Sequence, residues 1–359
     1  MNRGERIRAL ARANGFSLVG IAKVPADGRA PGADFFTEWI ARGRHGPLAY
    51  LADTAAQRVR LHERFSWARS VLCVGACHDG PAAKSRLDGL EARGPGTQPS
   101  WVPGRDLLSR VAGYARGRDY HLVFERRLKA VARALIAERL CGRTHWHVDT
   151  GPVLERAWAA AAGLGWIGKN NCLIHPRYGS YILLGEILLD AEVEADVAQP
   201  DRCGTCRRCL EACPTGALRG PRDLDAARCI ATWTLETKGA PSNDSAIAAH
   251  GWVAGCDLCQ NVCPFNGPRR AGAGDPELAV AGWHDLDLAR TILLSRDEYD
   301  RLFRASALRR VGWQGLRLNA IRAAATCRDS ATRAALRACL EDPDPQIREA
   351  AQQALNVAV

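Results

Sequence analysis

Long hydrophobic runs are missing from this chain. Nowhere do apolar residues follow one another for long enough to cross a bilayer, so the reading starts without a membrane. No secretory leader is expected either. The opening MNRGERIRALARANG reads as an amphipathic helix, not as a charged region followed by an apolar core and a cleavage site. A cytoplasmic protein is therefore expected. Acidic residues are short, 39 against 49 basic ones, and the formal charge of +10 weakly favours an anionic partner. A hydrophobic share of 47% over 359 residues excludes wholesale disorder and suits two or three compact domains.

Cysteine is in excess, with 14 in the chain. Cys203, Cys206, Cys209, Cys213, Cys229, Cys256, Cys259 and Cys263 crowd into one stretch. In a reducing compartment such crowding argues for metal rather than disulfides. Cys73, Cys77, Cys141, Cys172, Cys327 and Cys339 are scattered and read as small buried apolar residues.

The chain divides by character. Residues 5–14 fit an amphipathic helix stopped by Gly15. VLCVGAC (71–77) and YILLGEILLD (181–190) are strand-like, and DYHLVFERRLKAVARALIAERL (119–140) is a long amphipathic helix. THWHVD (144–149) reads as a short strand before a helix entered at Pro152. The Gly- and Pro-rich 78–103 reads as a surface loop. Strands alternating with helices give a mixed α/β domain over 1–195. Residues 196–280 are cysteine-bearing. Residues 281–359 are Leu-, Ala- and Arg-rich with helical periodicity, ending in a pair of helices joined near Asp342. That pair reads equally as a HEAT-type repeat or as a capping helical hairpin.

The first cysteine run is Cys203-x2-Cys206-x2-Cys209-x3-Cys213-Pro214. Three thiolates at this spacing wrap one face of a [4Fe–4S] cubane, and the fourth, before proline, serves a second cluster. The second run, Cys256-x2-Cys259-x3-Cys263-Pro264, lacks one ligand, and Cys229 fills the vacancy. One set is then Cys203, Cys206, Cys209 and Cys263; the other is Cys213, Cys229, Cys256 and Cys259. Tetrahedral zinc is the alternative for CxxC pairs. Two adjacent clusters relay single electrons, and the large domain upstream needs them for something. Gly163-Leu-Gly165-Trp-Ile-Gly168 spells a dinucleotide fingerprint. Its place after a helix and before a non-helical stretch argues instead for a helix cap and a tight turn.

The cysteine pattern occurs together with YARGRDYH (114–121), VDTGPVLERAWAAAAGLGWIGKNNCLI, GSYILLGEILLD (179–190), CPTGAL (213–218), DAARCIATWTLETKG (225–239), GCDLCQNVCPFN (255–266) and SALRRVGWQGLRLNA (306–320). As a set these resemble the epoxyqueuosine reductases, over roughly residues 50 to 325. The resemblance implies a cobalamin-binding α/β domain like that of reductive dehalogenases. Fused to it are a two-[4Fe–4S] bacterial ferredoxin-like domain and a C-terminal α-helical HEAT-like region. It implies reduction of the epoxide of epoxyqueuosine at the tRNA wobble position, with one water released. The partners implied are tRNA and an unidentified low-potential electron donor, and a monomer is expected. A stand-alone electron carrier and a reductive dehalogenase are the rival readings.

On this resemblance Asp149 is the proton donor to the departing oxygen, and for that role its pKa should be raised by an apolar cofactor face. The competing reading makes Asp149 or Thr150 a cap for the helix at Pro152. Arg58, Lys169 and Ser180 are expected at the cobalamin, and Gly255, Cys256 and Asp257 bring the second cluster beside it. Asp119, Tyr120 and His121 match the family motif without distinct roles. Arg207, Arg208, Arg219, Arg222, Arg304, Arg309, Arg310 and Arg317 are candidate phosphate contacts. The modified base would leave its stack to reach a buried corrin.

Overall fold

The computed structural model describes residues 1–78, 106–237, 250–267, 274–279, 283 and 285–357. Most of the 78–103 loop expectation falls outside the described residues. The opening helix, Arg3–Ala13, is closed at its start by a capping box between Asn2 and Glu5. Gly15, at φ +90°, turns the chain out of it.

Four strands form the main sheet: β1 (Leu18–Lys23), β2 (Ser70–Cys77), β3 (Thr144–His147) and β6 (Ile182–Leu189), in the order β1-β2-β6-β3. Every pairing is antiparallel, so the alternation of helices and strands does not produce parallel crossovers here. β2 is buried throughout, and β6 is buried beyond Ile182. Helices cover both faces of the sheet, which is why these strands read as continuous apolar runs rather than alternating ones. Helices Arg3–Ala13 and Tyr120–Ala137 share one hydrophobic cluster with Leu72, Val74 and Ile187 on one face. Trp158 and Ala159 of the helix Glu155–Ala161 pack on Val71, Cys73, Leu184 and Leu188 on the other. A hairpin of β4 (Trp166–Ile167) and β5 (Leu173–Ile174) follows that helix.

Asp119 caps the long helix by accepting the His121 N–H at 3.0 Å. The helix expected at Pro152 begins later, at Glu155, with Leu154 at its cap position and no side-chain cap. Asp149 and Thr150 are therefore not caps, because Gly151, Pro152 and Val153 form a buried non-helical link. Gly163, at φ +77°, donates its N–H to Ala160 O at 3.1 Å as the chain leaves this helix. The glycine motif is thus a helix stop followed by a hairpin, as its context indicated.

The cysteine segment is built on short helices, Arg208–Glu211 and Leu258–Asn261, around a small hydrophobic cluster of Ile230, Trp252 and Leu258. The C-terminal part is helical: Trp313–Ala323, Ser330–Ala338 and Pro345–Asn356 stack on one another. Its core also takes in Leu107, Val111, Ala115, Val253 and Ala254. A boundary near 280 therefore does not separate two independent cores. Among the described residues no helix is long and apolar enough to cross a membrane.

Candidate active site

The end of β3, the start of the long helix and the turn before the C-terminal helices meet at a cavity of about 640 Å³. Asp149 sits just beyond β3 in a left-handed conformation, φ +57°, and its N–H donates to Glu155 Oε1 at 2.9 Å. A non-glycine residue held there costs free energy that its surroundings must offset. His121 brings Nε2 to 3.6 Å from Asp149 Oδ2 and bonds Asp119 Oδ1 through Nδ1 at 2.9 Å. Arg310 donates to Asp149 Oδ2 at 3.2 Å and to Glu236 Oε2 at 2.6 Å. Glu236 ends a π-helical turn, Thr232–Glu236, in the cysteine segment. Ile182, Leu183, Leu184 and Leu173 supply an apolar wall, and Ser180 and Gln260 a polar one.

Electrostatics correct one expectation. Burial alone would raise Asp149, but His121, Arg310 and the Tyr120 hydroxyl outweigh it, and its carboxyl lies below the ordinary carboxylate range. The proton sits elsewhere. Burial works against His121, yet its hydrogen bond to Asp119 and the Asp149 carboxylate 3.6 Å away raise it to about 9, so it is an imidazolium at neutral pH. Glu155 is pushed up to about 7, first by burial and then by the Asp149 charge.

The expected cofactor residues separate. Ser180 lines the cavity, donating through Oγ to Gln260 Oε1 at 2.9 Å. Lys169 points the other way: its Nζ donates to Gly204 O at 2.6 Å and Cys206 O at 2.8 Å, bracing the cysteine loop rather than the cavity wall. Arg58 lies beneath the Asp149 link, donating to Val153 O at 3.3 Å. Gly255 and Asp257 face the 112–113 backbone instead of the cavity, with Asp257 Oδ2 accepting the Gly113 N–H at 2.6 Å. The cysteine segment reaches the cavity through Gln260 and Glu236. Cys172, expected to be an ordinary buried residue, lines the cavity; its thiol donates to Asn170 O at 3.8 Å and lies close enough to Cys259 for the two to influence each other's ionisation. Sequence reasoning gave no role to His121, Glu155, Glu236 or Gln260, and put Arg310 on a phosphate. All five lie in motifs that carry the resemblance, but no motif by itself says that they meet at one cavity.

The thiols of the cysteine segment lie close enough to influence one another, and Cys172 joins them by acting on Cys229 and Cys263. Cys209 feels Cys203 and Cys206, and Cys263 feels Cys203 and Cys209. Cys256 and Cys259 each feel Cys229, and Cys256 also feels Cys213. Among the described residues no three His, Cys, Asp or Glu side chains converge tightly enough for a single metal ion. The Cys203-x2-Cys206-x2-Cys209-x3-Cys213-Pro214 run suits iron–sulfur cubanes better than mononuclear zinc.

Of the candidate phosphate contacts, Arg207, Arg208, Arg219, Arg304 and Arg309 are exposed. Arg222 is engaged with Asp201 at 2.6 Å. Arg317 is buried and bound to Asp342 at 2.6 Å and to Ile292 O at 2.8 Å, so it is a structural cation and not a phosphate contact.

Comparison with known proteins agrees with this division. Residues 202–266 match a family model described as a 4Fe-4S double cluster binding domain. Residues 58–150 match one described as Epoxyqueuosine reductase QueG, DUF1730. The epoxyqueuosine reductase of Gloeobacter violaceus is 42% identical over 92% of this chain and 98% of its own length. That of Synechocystis is 38% identical over 84% of this chain and 98% of its own. A solved epoxyqueuosine reductase bound to an epoxyqueuosine-modified tRNA-Tyr stem loop superposes with a TM-score of 0.78 at 28% identity, covering 98% of this chain and 88% of that one. The Streptococcus thermophilus structure gives 0.76 at 28% identity, covering 99% and 90%.

Proposed function

Because the chain belongs to the epoxyqueuosine reductase family, we propose that it is an oxidoreductase that converts epoxyqueuosine to queuosine at the tRNA wobble position, using two [4Fe–4S] clusters and cobalamin. The observation that carries this is the cavity itself. It places a carboxylate, an imidazolium and an arginine opposite the segment that holds the cluster thiols. The tRNA stem loop bound to the solved relative supports tRNA as the substrate.

The reaction takes in two electrons and two protons, breaks both carbon–oxygen bonds of the epoxide and releases water. Cobalamin, when bound, supplies low-valent reducing chemistry at the epoxide carbon, with the clusters supplying electrons. Ser180 and Gln260 would hold the polar edge of the corrin, and the Ile182–Leu184 wall its apolar surface. This chain's own residues handle the oxygen and its protons. Arg310 and the Asp149 pocket orient the oxygen as negative charge develops on it. His121 holds the proton at neutral pH and passes it through Asp149 Oδ2 to the oxygen. Asp119 steadies the imidazolium from behind. Asp149 is thus a proton conduit recharged by His121, rather than an acid with its own raised pKa.

Exposed Arg207, Arg208, Arg219, Arg304 and Arg309 are proposed to meet tRNA phosphates. A low-potential protein donor would feed the Cys203–Cys209 loop, which is exposed between its cysteines. We read the C-terminal helices as HEAT-like, and the protein as a cytoplasmic monomer.

The deciding experiment is an anaerobic assay on tRNA carrying epoxyqueuosine, read by nucleoside mass spectrometry. Queuosine should form, and Asp149→Asn should lower turnover by about 10²- to 10⁴-fold while keeping cluster absorbance and bound corrin. Full activity in that variant would remove Asp149 from the proton path. No queuosine from the wild type would remove the proposed function.

A further inference from the structure

Two protons are needed, and the His121–Asp149 path accounts for one. Glu155 stands at the first turn of its helix, on the wall of the same cavity, across the Asp149 link from His121. One of its oxygens is occupied by the Asp149 N–H. Behind it, on β6, lies Glu186, which is 2% exposed, with Oε2 buried and lacking a hydrogen-bond partner among the described residues. Glu186 pairs across the sheet with His147 on β3 and Cys73 on β2. Three carboxyl groups from three elements thus crowd one floor.

We propose that Glu155 is a second proton source of this site: a neutral carboxylic acid on the cavity wall that gives its proton to the hydroxyl departing as water. The inference rests on the function proposed above. The step balances. Asp149, recharged by His121, protonates the oxygen as the first carbon–oxygen bond breaks. Glu155 protonates the resulting hydroxyl as the second breaks. The electrons arrive through the clusters, and Glu155 is left as a carboxylate that solvent reprotonates.

The groups facing Glu155 set its protonation. Asp149 after β3 opposes its ionisation, while Glu186 on β6 and buried Cys73 on β2 are themselves pushed up, first by burial and in part by the Glu155 charge. Arg156 on its own helix and His121 on the long helix favour ionisation, and Arg58 lies close enough to feel its charge. Burial and Asp149 prevail, leaving Glu155 to titrate at about 7. Asp149 has the charges of His121 and Arg310 beside it, and on Glu186 the Arg58 charge acts against burial and the neighbouring carboxyls without overcoming them.

Glu155→Gln separates the proton from the scaffold, because its amide oxygen still accepts the Asp149 N–H. Single-turnover queuosine formation by the wild-type holoenzyme should fall above pH ~7, by up to tenfold per pH unit. In Glu155→Gln the rate at pH 6 should drop at least ~10-fold, and the limb above pH 7 should disappear. A purely structural Glu155 predicts a Gln variant with the wild-type profile, and that result would overturn the proposal. Should the Gln variant fail to fold, infrared difference spectra of the wild type between pH 6 and pH 8 decide. A protonated-carboxyl band must be lost at the higher pH, must persist in Glu186→Gln and must shift in Glu155→Asp. Its absence overturns the proposal without any assay. Wild-type protein that makes no queuosine, yet shows the band, would remove the function and leave the neutral Glu155 standing.

Discussion

The cysteine segment and the sheet beneath the cavity are held together by different means. In the sheet, β2 and β6 are buried on both faces between helices, and large residues such as Phe16, Phe124 and Trp158 are almost fully removed from water. Each such side chain contributes about 1.5 to 3 kcal/mol of apolar burial. Among its described residues the cysteine segment has Ile230, Trp252 and Leu258 in its own buried cluster, with Trp233 and Cys256 alongside. So little apolar burial does not hold a segment of this length. Thiolate bonds to the clusters supply cross-links there, so in this segment the electron relay also holds the fold together.

The strongest way to break that contrast is Cys229→Ala, which removes the one proposed ligand lying outside both cysteine runs. Iron and sulfide should fall to about half, turnover should be lost, and hydrogen exchange should rise across 202–266 while β2 and β6 stay protected. Chemical iron analysis and exchange mass spectrometry read both effects. Full iron in this variant would mean that another thiol has taken the place. Cys172, whose thiol acts electrostatically on Cys259, would be the first to test.

The same contrast explains what could be read from the sequence. A cubane's ligands are mostly a few residues apart, so the spacing of Cys203 to Cys213 carries the chemistry by itself. β2 and β6 were legible because burial on both faces makes their runs uniformly apolar. The cavity was legible only in part. Arg310 meets Asp149 across 161 residues of chain, and Glu236 reaches Arg310 across 74. No local pattern records such meetings, which is why a raised Asp149 was expected and a lowered one found. Lys169 misled for a similar reason: its loop looks like a cofactor loop, but its partners are the carbonyls of Gly204 and Cys206.

The joint between the two regions gives a smaller test. Gly179 has φ +70°, and a Cβ there would overlap Asn266 Oδ1 and come within 2.7 Å of Phe265 O. That same Asn266 oxygen accepts the Ser180 N–H at 2.7 Å, tying β6 to the cysteine segment. Gly179→Ala should cost about 2–4 kcal/mol, through left-handed strain and overpacking together. Gly220→Ala, with nothing within 4 Å of its Cβ, is the control and should be close to neutral. Thermal unfolding of the holoprotein measures both. If Gly179→Ala loosens the cysteine segment alone, the two regions unfold separately; a single shifted transition means that they unfold together.

The smallest expected effect belongs to the sheet alone. His147 at the end of β3 is buried, packed 4.6 Å from His145 and 5.5 Å from Phe65 between ring centroids. Burial, then the nearby His145 and Arg64, lower it from 6.5 to about 4. The unfolded chain therefore takes up this proton at a higher pH than the folded one. The stability conferred by the neutral ring is fully present above pH 6.5 and is lost as pH falls toward 4, by about 2 kcal/mol at pH 5. A proton NMR titration of the ring should show His147 still neutral at pH 5. Denaturant unfolding at pH 7.5 and pH 5 should show a loss that His147→Asn lacks. The same ring titration in cluster-free protein should be unchanged, because the sheet around His147 is packed by its own side chains. An ordinary titration near 6.5 after cluster removal would mean that the sheet, too, depends on the clusters for its packing.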